Sequence, residues 1–444
     1  MAGRGSFNSR IGFIMAAVGS AVGLGNLWRF PQLVSQNGGA AFVLLYLILL
    51  FVIGLPALLA ELSIGRHRGV NAIHAFTPDA KGRNFSWIGA VFLFTAILLL
   101  SYYSVIAGHA LRYLAESFTA PYFDDPQAYY GSIATGGVAI VFHALFMLIT
   151  IGILVRGVGP GIEKANLIMM PLLFLSVVAI AAYGIYLDGT NGWEGFKFYA
   201  TPSFSDLTAG GFGGTAALLG DAAGQTFFSI GLGLGTMLTY SSYIGRDSDL
   251  QSTGMTIGFA DTGVAVLAGF MVFPLLFGLG LGEFAEEGNG LFVALPAAFA
   301  EIGGTLGGVF AGVFFLLLVF AALSSALSLL EVPVSFLIDR FPTWGRPRAV
   351  LLLGFIVYLL GMPAALWGDY LNFADSLVGP LLLLGGLLLT LYVGWVDRNI
   401  LDEMRISAKR DWGAMWAGII RYPLPIVLGL LFILSVIGLL RGLF

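Results

Sequence analysis

The sequence contains no cysteine, few charged residues and few histidines. Without cysteine the chain has no disulfide, no thiolate metal site and no cysteine nucleophile. The four histidines form no HExxH pair, and neither a Gly-x-Ser-x-Gly motif nor a motif for an organic cofactor is present, which argues against an enzyme. Only 10% of the residues are charged, 58% are hydrophobic and the mean hydropathy is +0.91. This composition is typical of an integral membrane protein. We expect no nucleic-acid partner.

Apolar segments of roughly 20 residues recur along the chain, each long enough to cross a hydrocarbon core of about 30 Å as a helix. We therefore predict an all-α integral membrane protein with about 11 transmembrane helices. The predicted spans, numbered first to eleventh, are residues 11–34, 39–65, 86–116, 134–155, 165–187, 215–243, 254–281, 304–337, 349–366, 373–396 and 418–440. The apolar stretch within 282–303 indicates a re-entrant or packed hairpin.

Basic residues are divided unevenly between the two sides of this arrangement. One set of connections carries Arg4, Arg10, Arg66, Arg68, Lys81, Arg83, Arg156, Lys164, Arg246, Arg340, Arg346, Arg348, Arg398, Arg405, Lys409, Arg410 and Arg421. The other set carries Arg112, Lys197 and Arg441. Because basic loops stay in the cytoplasm, we expect a cytoplasmic N-terminus, an extracytoplasmic C-terminus and a multi-pass location in the inner (plasma) membrane.

Glycines interrupt two of the predicted helices. The first span contains Gly19, Gly23 and Gly25 within seven residues, and the sixth contains Gly231, Gly233 and Gly235. A glycine inside a helix costs about 1 kcal/mol relative to alanine, so both helices are expected to break there. Two interrupted helices, each opening a five-span half, indicate an inverted-repeat transporter. The alternative is that these glycines only permit close helix packing.

Four stretches carry a resemblance to a known family: "GSAVGLGNLWRFP", "NGGAAFVLLY", "GQTFFSIGLGLGTMLTYSSY" and "FAALSSALSLLEVPVSFLID". Over nearly the whole chain the sequence resembles the neurotransmitter:sodium symporter family, in its bacterial amino-acid transporter branch. The resemblance implies a five-plus-five inverted repeat with broken first and sixth helices. The expected organisation is an N-terminal segment with the first repeat (1–187), an extracellular loop (188–214), the second repeat (215–396), and a cytoplasmic loop with the eleventh span (397–444).

The resemblance also implies symport of an amino acid with sodium by alternating access, with two sodium ions and no organic cofactor. The first sodium would bind the carbonyl of Ala21 together with Asn26, Ser229, Asp261 and the substrate carboxylate. The second would bind the carbonyls of Gly19, Val22 and Ala321 and the hydroxyls of Ser324 and Ser325. The alternative for the two serines is a bond back to their own helix. An oligomer remains open.

Asp261 stands near the centre of a predicted helix, where an acid costs about 2.5 to 3.5 kcal/mol on insertion scales. Chloride-dependent relatives are neutral in this region and hold the anion with a tyrosine, a glutamine and serines, which Tyr46, Gln225 and Ser229 match here. Because Asp261 supplies a fixed negative charge, we predict chloride independence. Asp261 stands at the sodium position, at the chloride position or at both, and a salt bridge to Arg29 is the structural alternative.

The resemblance places the substrate among two groups of residues. Its polar end would meet Ser20, Ala21, Leu24, Gly25, Tyr103 and Ser229, and its side chain would meet Leu99, Phe228, Gly231, Leu234, Ser325 and Leu329. This lining is apolar and favours a neutral, hydrophobic or aromatic amino acid. Without the resemblance, ordinary core packing would be the better explanation of most of these apolar positions. The expected external gate is Arg29 with Asp375, and the expected internal gate is Arg4 with Asp339, beside Phe7 and Tyr243.

Other functions remain as alternatives. One alternative is a carrier of the same fold for another small amine or amino acid. Another is a carrier that couples to protons through Asp261 or Glu331, although Glu331 matches an acid frequent in the family and is interpreted as structural. A channel is disfavoured because the sequence has no filter-like repeat and no ring of acids.

Overall fold

A computed structural model describes residues 5–76, 83–203, 211–283 and 291–443. Within these ranges the chain forms helices and no strand, which confirms the all-α prediction. Nine of the described helices are long and apolar enough to cross a membrane. These helices, the second to fifth and seventh to eleventh spans, are Ala40–Arg68, Ser86–Ala115, Gly137–Leu154, Val158–Thr190, Leu250–Gly278, Gly304–Arg340, Gly345–Leu366, Gly368–Val396 and Gly413–Leu440.

The first span is broken where the glycines predict it. Its two halves, Arg10–Ala21 and Gly25–Gln36, meet at an angle of 45°. Val22, with ψ of 102°, leaves the helical region, and the second half begins with a π-helical turn over Gly25–Arg29. Counted as one span, this bent pair brings the number of candidate spans in the described residues to ten.

The sixth span is broken as well. Helix Gly211–Ile230 ends at a turn in which Gly231, Gly233 and Gly235 have φ values of +74°, +76° and +74°, a region that other residues rarely adopt. The chain resumes as helix Thr236–Ser241. The count of ten does not include this interrupted segment, so the total of eleven spans stays a prediction. The inverted repeat also stays a prediction.

The predicted boundaries agree with the structure to within a few residues at most positions, and two differences have local causes. The fifth span begins at Val158 instead of residue 165, because a π-helical turn over Val158–Glu163 precedes the regular helix. The eleventh span consists of helix Gly413–Arg421 followed by helix Pro423–Leu443, since a proline starts a helix more readily than it continues one.

The two long predicted loops contain helices of their own. Helix Glu194–Ala200 lies in the loop predicted at 188–214. Helix Leu291–Ile302 lies in the region predicted as a packed hairpin, and most of its residues are buried. The carbonyl of Phe292 accepts a hydrogen bond of 2.7 Å from the Tyr113 hydroxyl on the third span, so this helix is docked onto the bundle. Residues 284–290 of the predicted hairpin lie outside the described residues.

The two breaks lie inside the bundle, away from the lipid. The cytoplasm-proximal half of the first span, by the predicted topology, packs against the fifth, seventh and eighth spans, and the third span packs against the eighth and tenth. Each span contains an apolar stretch of 18 residues. In the third and the seventh spans 67% of this stretch is buried, against 22% in the eleventh. The breaks at residues 22–24 and 231–235 are buried in protein, while the eleventh span lies at the periphery.

Candidate functional site

Asn26, just after the break in the first span, joins three spans at one buried point. Its Nδ2 donates to Ser229 Oγ at 3.0 Å on the sixth span and to Asp261 Oδ1 at 2.8 Å on the seventh. Its Oδ1 accepts the backbone N–H of Gly23 at 3.1 Å. Asn26 and Asp261 are fully buried, and Ser229 is 1% exposed. Three of the four residues expected at the first sodium thus lie in direct contact.

Asp261 is surrounded by hydrogen-bond donors. Ser229 Oγ donates to Asp261 Oδ2 at 2.8 Å, and the Tyr46 hydroxyl lies 3.5 Å from the same oxygen. No ion pair of Asp261 occurs among the described residues, and the alternative salt bridge to Arg29 is not formed. A buried carboxylate without a counter-charge is costly, so a cation bound beside Asp261 would compensate its charge. Sodium prefers hard oxygen ligands of the kind that Asn26, Ser229 and Asp261 carry.

The residues expected at the second sodium also lie together, between the first and eighth spans. Ser324 Oγ lies 2.9 Å from the carbonyl oxygen of Ala321 and 3.4 Å from that of Val22. Ser325 Oγ donates to the carbonyl oxygen of Ser20 at 3.2 Å. Ser324 therefore makes the bond back to its own helix that the alternative interpretation expected, while both serines also reach the broken segment of the first span.

Ten of the twelve expected substrate residues line one buried cavity. They are Ser20, Ala21, Gly25, Leu99, Tyr103, Phe228, Gly231, Leu234, Ser325 and Leu329. Leu24 and Ser229 do not line this cavity. Leu24 donates its backbone N–H to the Tyr103 hydroxyl at 3.2 Å, and Ser229 turns toward Asp261 instead. The volume of the cavity, about 20 Å³, is close to the space of one water molecule, so an amino acid enters only when the surrounding side chains move apart.

Sequence reasoning missed three residues of this cavity: Gly23, Thr236 and Ser328. Ser328 Oγ accepts a hydrogen bond of 2.7 Å from Ser20 Oγ, and Thr236 Oγ1 donates to the carbonyl oxygen of Gly231 at 3.0 Å. The helical spacing gave a signal for Ser328, which follows Ser325 by three residues on the same face. None of the residues that line the cavity in the described part of the chain is charged.

The residues of the expected external gate lie at a second, larger cavity of about 600 Å³. Arg29, Asp375 and Asp221 line it, and sequence reasoning did not single out Asp221. Arg29 and Asp375 form no salt bridge among the described contacts, and their pairing as a gate stays a prediction. Asp375 instead accepts a hydrogen bond of 2.9 Å from the Tyr102 hydroxyl, and the Arg29 guanidinium lies 4.8 Å from the centre of the Phe228 ring. The phenyl ring and the cation together separate the two cavities.

The residues of the expected internal gate are described only in part, because Arg4 lies outside the described residues. Asp339 accepts a hydrogen bond of 2.5 Å from Asn71 Nδ2. Phe7 packs edge-on against Tyr243, with ring centres 6.3 Å apart. Phe7 and Tyr243 thus form an aromatic layer on the side of the breaks that the predicted topology places toward the cytoplasm.

Glu331, which the sequence left as a possible proton-coupling group, is buried and paired. Its carboxylate accepts hydrogen bonds from the Tyr243 hydroxyl at 2.7 Å and from the Arg346 guanidinium at 2.5 and 3.1 Å. Sequence reasoning treated Arg346 only as a loop cation. The pairing favours the structural interpretation of Glu331, because its charge is already compensated within the protein.

Comparison with known proteins decides the family. The sodium:neurotransmitter symporter family model matches residues 4–130 and 130–439. The chain belongs to the sodium:neurotransmitter symporter family. It is 32% identical over 453 residues, 97% of both chains, to YhdH of Bacillus subtilis, a sodium-dependent transporter described as uncharacterized. It is 27% identical over 494 residues to the sodium-dependent serotonin transporter of Drosophila melanogaster, covering 98% of this chain and 77% of that protein.

A solved structure supports the same family assignment. MhsT in complex with L-phenylalanine superposes with a TM-score of 0.87 and 37% sequence identity, covering 98% of this chain and all of MhsT. As a member of the symporter family, the chain is a multi-pass membrane protein that performs sodium-coupled transport and is not an enzyme. The predicted family and bacterial transporter fold are thereby confirmed.

Proposed function

We propose that this symporter carries a neutral, hydrophobic or aromatic amino acid into the cell with two sodium ions, by alternating access and without chloride. The observation that carries the proposal is the buried cluster of Asn26, Ser229 and Asp261 at the breaks of the first and sixth spans. The uncharged lining of the neighbouring cavity supports a neutral substrate. The L-phenylalanine complex of the similar protein MhsT supports an aromatic or hydrophobic one.

The polar end of the amino acid is proposed to lie between the two breaks. Its carboxylate would contact the first sodium ion, the Tyr103 hydroxyl and the start of helix Gly25–Gln36, where the helix dipole favours negative charge. Phe228 closes the cavity against Gly25: a Cβ built on Gly25 would come within 2.7 Å of Phe228 Cδ1. The absence of a side chain at Gly25 therefore lets the ring close over a small, zwitterionic ligand.

Chloride independence is proposed because the donors that would hold an anion already face a carboxylate. Ser229 Oγ and the Tyr46 hydroxyl both lie within hydrogen-bond distance of Asp261 Oδ2. Asp261 Oδ1, on the other side of the carboxylate, contacts Asn26 of the proposed sodium site. These contacts support the proposal that Asp261 serves both positions that the sequence left open, where a chloride ion would meet a fixed negative charge.

Sodium supplies the driving force. One sodium ion that enters through a membrane potential of 100 mV contributes about 2.3 kcal/mol, which corresponds to about a 50-fold gradient of substrate. A second coupled ion would square this factor. The proposed second site is formed by Ser324 and Ser325 with carbonyls of the first span. An ion bound there would contribute as much to the substrate gradient as an ion at the first site.

The gates are proposed at the two ends of this path. On the outer side, Arg29 would approach Asp375 or Asp221 as the large cavity closes over Phe228. On the cytoplasmic side, the aromatic layer of Phe7 and Tyr243, with Arg4 and Asp339, would separate the site from the cell interior. The N-terminus is then cytoplasmic, in accordance with the distribution of basic residues.

The test is equilibrium binding of a panel of labelled amino acids to the purified full-length protein in a scintillation proximity assay. We expect saturable binding of phenylalanine, leucine or a related amino acid in sodium buffer. The binding should be lost in potassium buffer and unchanged when gluconate replaces chloride. Loss of binding without chloride would refute the role of Asp261. Binding that follows pH instead of sodium would indicate the proton-coupled alternative, and unsaturable uptake into vesicles would indicate a channel.

A further inference from the structure

Asn166 is a buried amide in the fifth span that the proposed function leaves unused. Its side chain is fully buried. Its Nδ2 donates to the carbonyl oxygen of Ile162, one turn earlier, at 2.9 Å. Its Oδ1 has no hydrogen-bond partner among the described residues. Leaving a buried amide oxygen unpaired costs about 1 to 3 kcal/mol, so the position of this oxygen requires an explanation.

The unpaired oxygen points at the first span, three residues before the break at Val22. A Cβ built on Gly19 would overlap Asn166 Oδ1, and the same atom would come within 3.1 Å of Ser324 Cβ. The oxygen therefore lies against the backbone of Gly19, on the side where Ser324 approaches. Gly19 and Ser324 are two of the five residues of the proposed second sodium site. The fifth, first and eighth spans thus meet at this site.

The bond from Asn166 Nδ2 to Ile162 fixes which end of the amide faces Gly19. The NH₂ group is the only donor of an asparagine side chain, and the carbonyl oxygen is its only acceptor. Since the donor is held by the helix of the fifth span, the acceptor is directed away from that helix and toward the first span. The side chain therefore presents a negative dipole end at this point, the orientation that a cation requires.

We infer that Asn166 Oδ1 is a further oxygen ligand of the second sodium ion; this role rests on the proposed function. The five ligands proposed from the first and eighth spans are neutral, and Asn166 adds a neutral oxygen from a third direction. Sodium accepts hard oxygen ligands of this kind. A neutral amide strengthens the site without adding a charge that would retain the ion during the transport cycle.

The experiment measures sodium binding alone, so that it does not depend on the identity of the amino acid. The melting temperature of the purified full-length protein is followed while sodium chloride replaces choline chloride at constant ionic strength. We expect Asn166→Ala to raise the sodium concentration at the midpoint of stabilisation about tenfold, as the loss of one ion–dipole contact predicts. Asn166→Asp, which keeps the oxygen, should bind sodium at least as well as the wild type.

The matched control is Ser176→Ala on the same span. The Ser176 hydroxyl makes the same kind of bond back to its own helix, to Leu172 at 2.8 Å, but lies ten residues further along, about 15 Å away. The control should leave the sodium midpoint unchanged. An unchanged midpoint in Asn166→Ala would overturn the inference and leave the proposed function intact. A lower melting temperature in both Asn166 variants, with an unchanged midpoint, would assign Asn166 to helix packing and overturn it too. If sodium does not stabilise the wild type, the proposed function fails with it.

Discussion

Replacing Asp261 by asparagine removes the charge on which the proposed first sodium site depends, and keeps the shape of the side chain. Two unit charges about 4 Å apart attract each other by about 4 kcal/mol at an effective dielectric constant of about 20. The remaining amide oxygen and the smaller desolvation cost of a neutral group offset part of this loss. We expect a net loss of about 2 kcal/mol, or roughly 30-fold in the sodium concentration needed for half-maximal binding.

The same substitution should also make binding sensitive to chloride. In the wild type, Ser229 Oγ lies 2.8 Å and the Tyr46 hydroxyl 3.5 Å from the carboxylate oxygen Asp261 Oδ2. In Asp261→Asn these donors lose their anionic acceptor, and a chloride ion can take its place. Sodium titrations of amino-acid binding, with chloride and with gluconate as the anion, should therefore coincide for the wild type and separate for the variant.

The control for this prediction is Asp188→Asn, the same chemical change at another fully buried carboxylate. Asp188, at the far end of the fifth span, accepts the backbone N–H groups of Gly195 at 3.0 Å and Phe196 at 2.7 Å, and has no contact with the proposed site. It should leave the sodium midpoint and the chloride response unchanged. The reasoning is refuted if Asp261→Asn binds sodium like the wild type, or if the control shows the same shift.

Three further substitutions test other parts of the site. Gly25→Ala should weaken amino-acid binding by about tenfold or more, because its new methyl group would lie 2.7 Å from a carbon of the Phe228 ring; equilibrium binding at saturating sodium measures this. Tyr103→Phe should weaken amino-acid affinity by about tenfold through loss of a hydrogen bond to the carboxylate, while sodium stabilisation of the ligand-free protein stays unchanged. Arg346→Ala leaves the Glu331 carboxylate buried without its cation, which should destabilise the fold by about 3 to 5 kcal/mol. A fluorescence melting curve should show this loss of stability. Adding Glu331→Gln to the variant should restore part of the lost stability.

The sequence was sufficient for the features that local chemistry determines. The two breaks follow from glycines, because a turn with three left-handed residues such as Gly231, Gly233 and Gly235 is strained for any other residue type. The length and hydropathy of the spans follow from the thickness of the bilayer. The π-helical turn that extends the fifth span to Val158 gave no such signal, because its backbone geometry depends on neighbouring segments.

The contacts between distant segments were less accessible to sequence reasoning. The resemblance placed Asn26, Ser229 and Asp261 at one site, and the structure brings them into contact. The pairing of Glu331 with Arg346 joins the eighth and ninth spans and depends on how these helices pack, which no local pattern encodes. For the same reason sequence reasoning did not predict that Arg29 lies against the Phe228 ring, and the gate pair of Arg29 with Asp375 stays a prediction.

The position of the first span explains why ions and substrate should depend on each other. Its broken segment is held on one side by Ser229 and Asp261 through Asn26, and on the other by Ser324 and Ser325 of the eighth span. A ligand shifts a conformational equilibrium only through a difference in its affinity for the two states. Any motion that moves the first span away from either neighbour separates oxygens that the proposed sodium ions need together. If both proposed sites bind sodium, the ions would stabilise the arrangement in which the proposed amino acid is enclosed, and by thermodynamic linkage the amino acid would raise the affinity for sodium by the same factor.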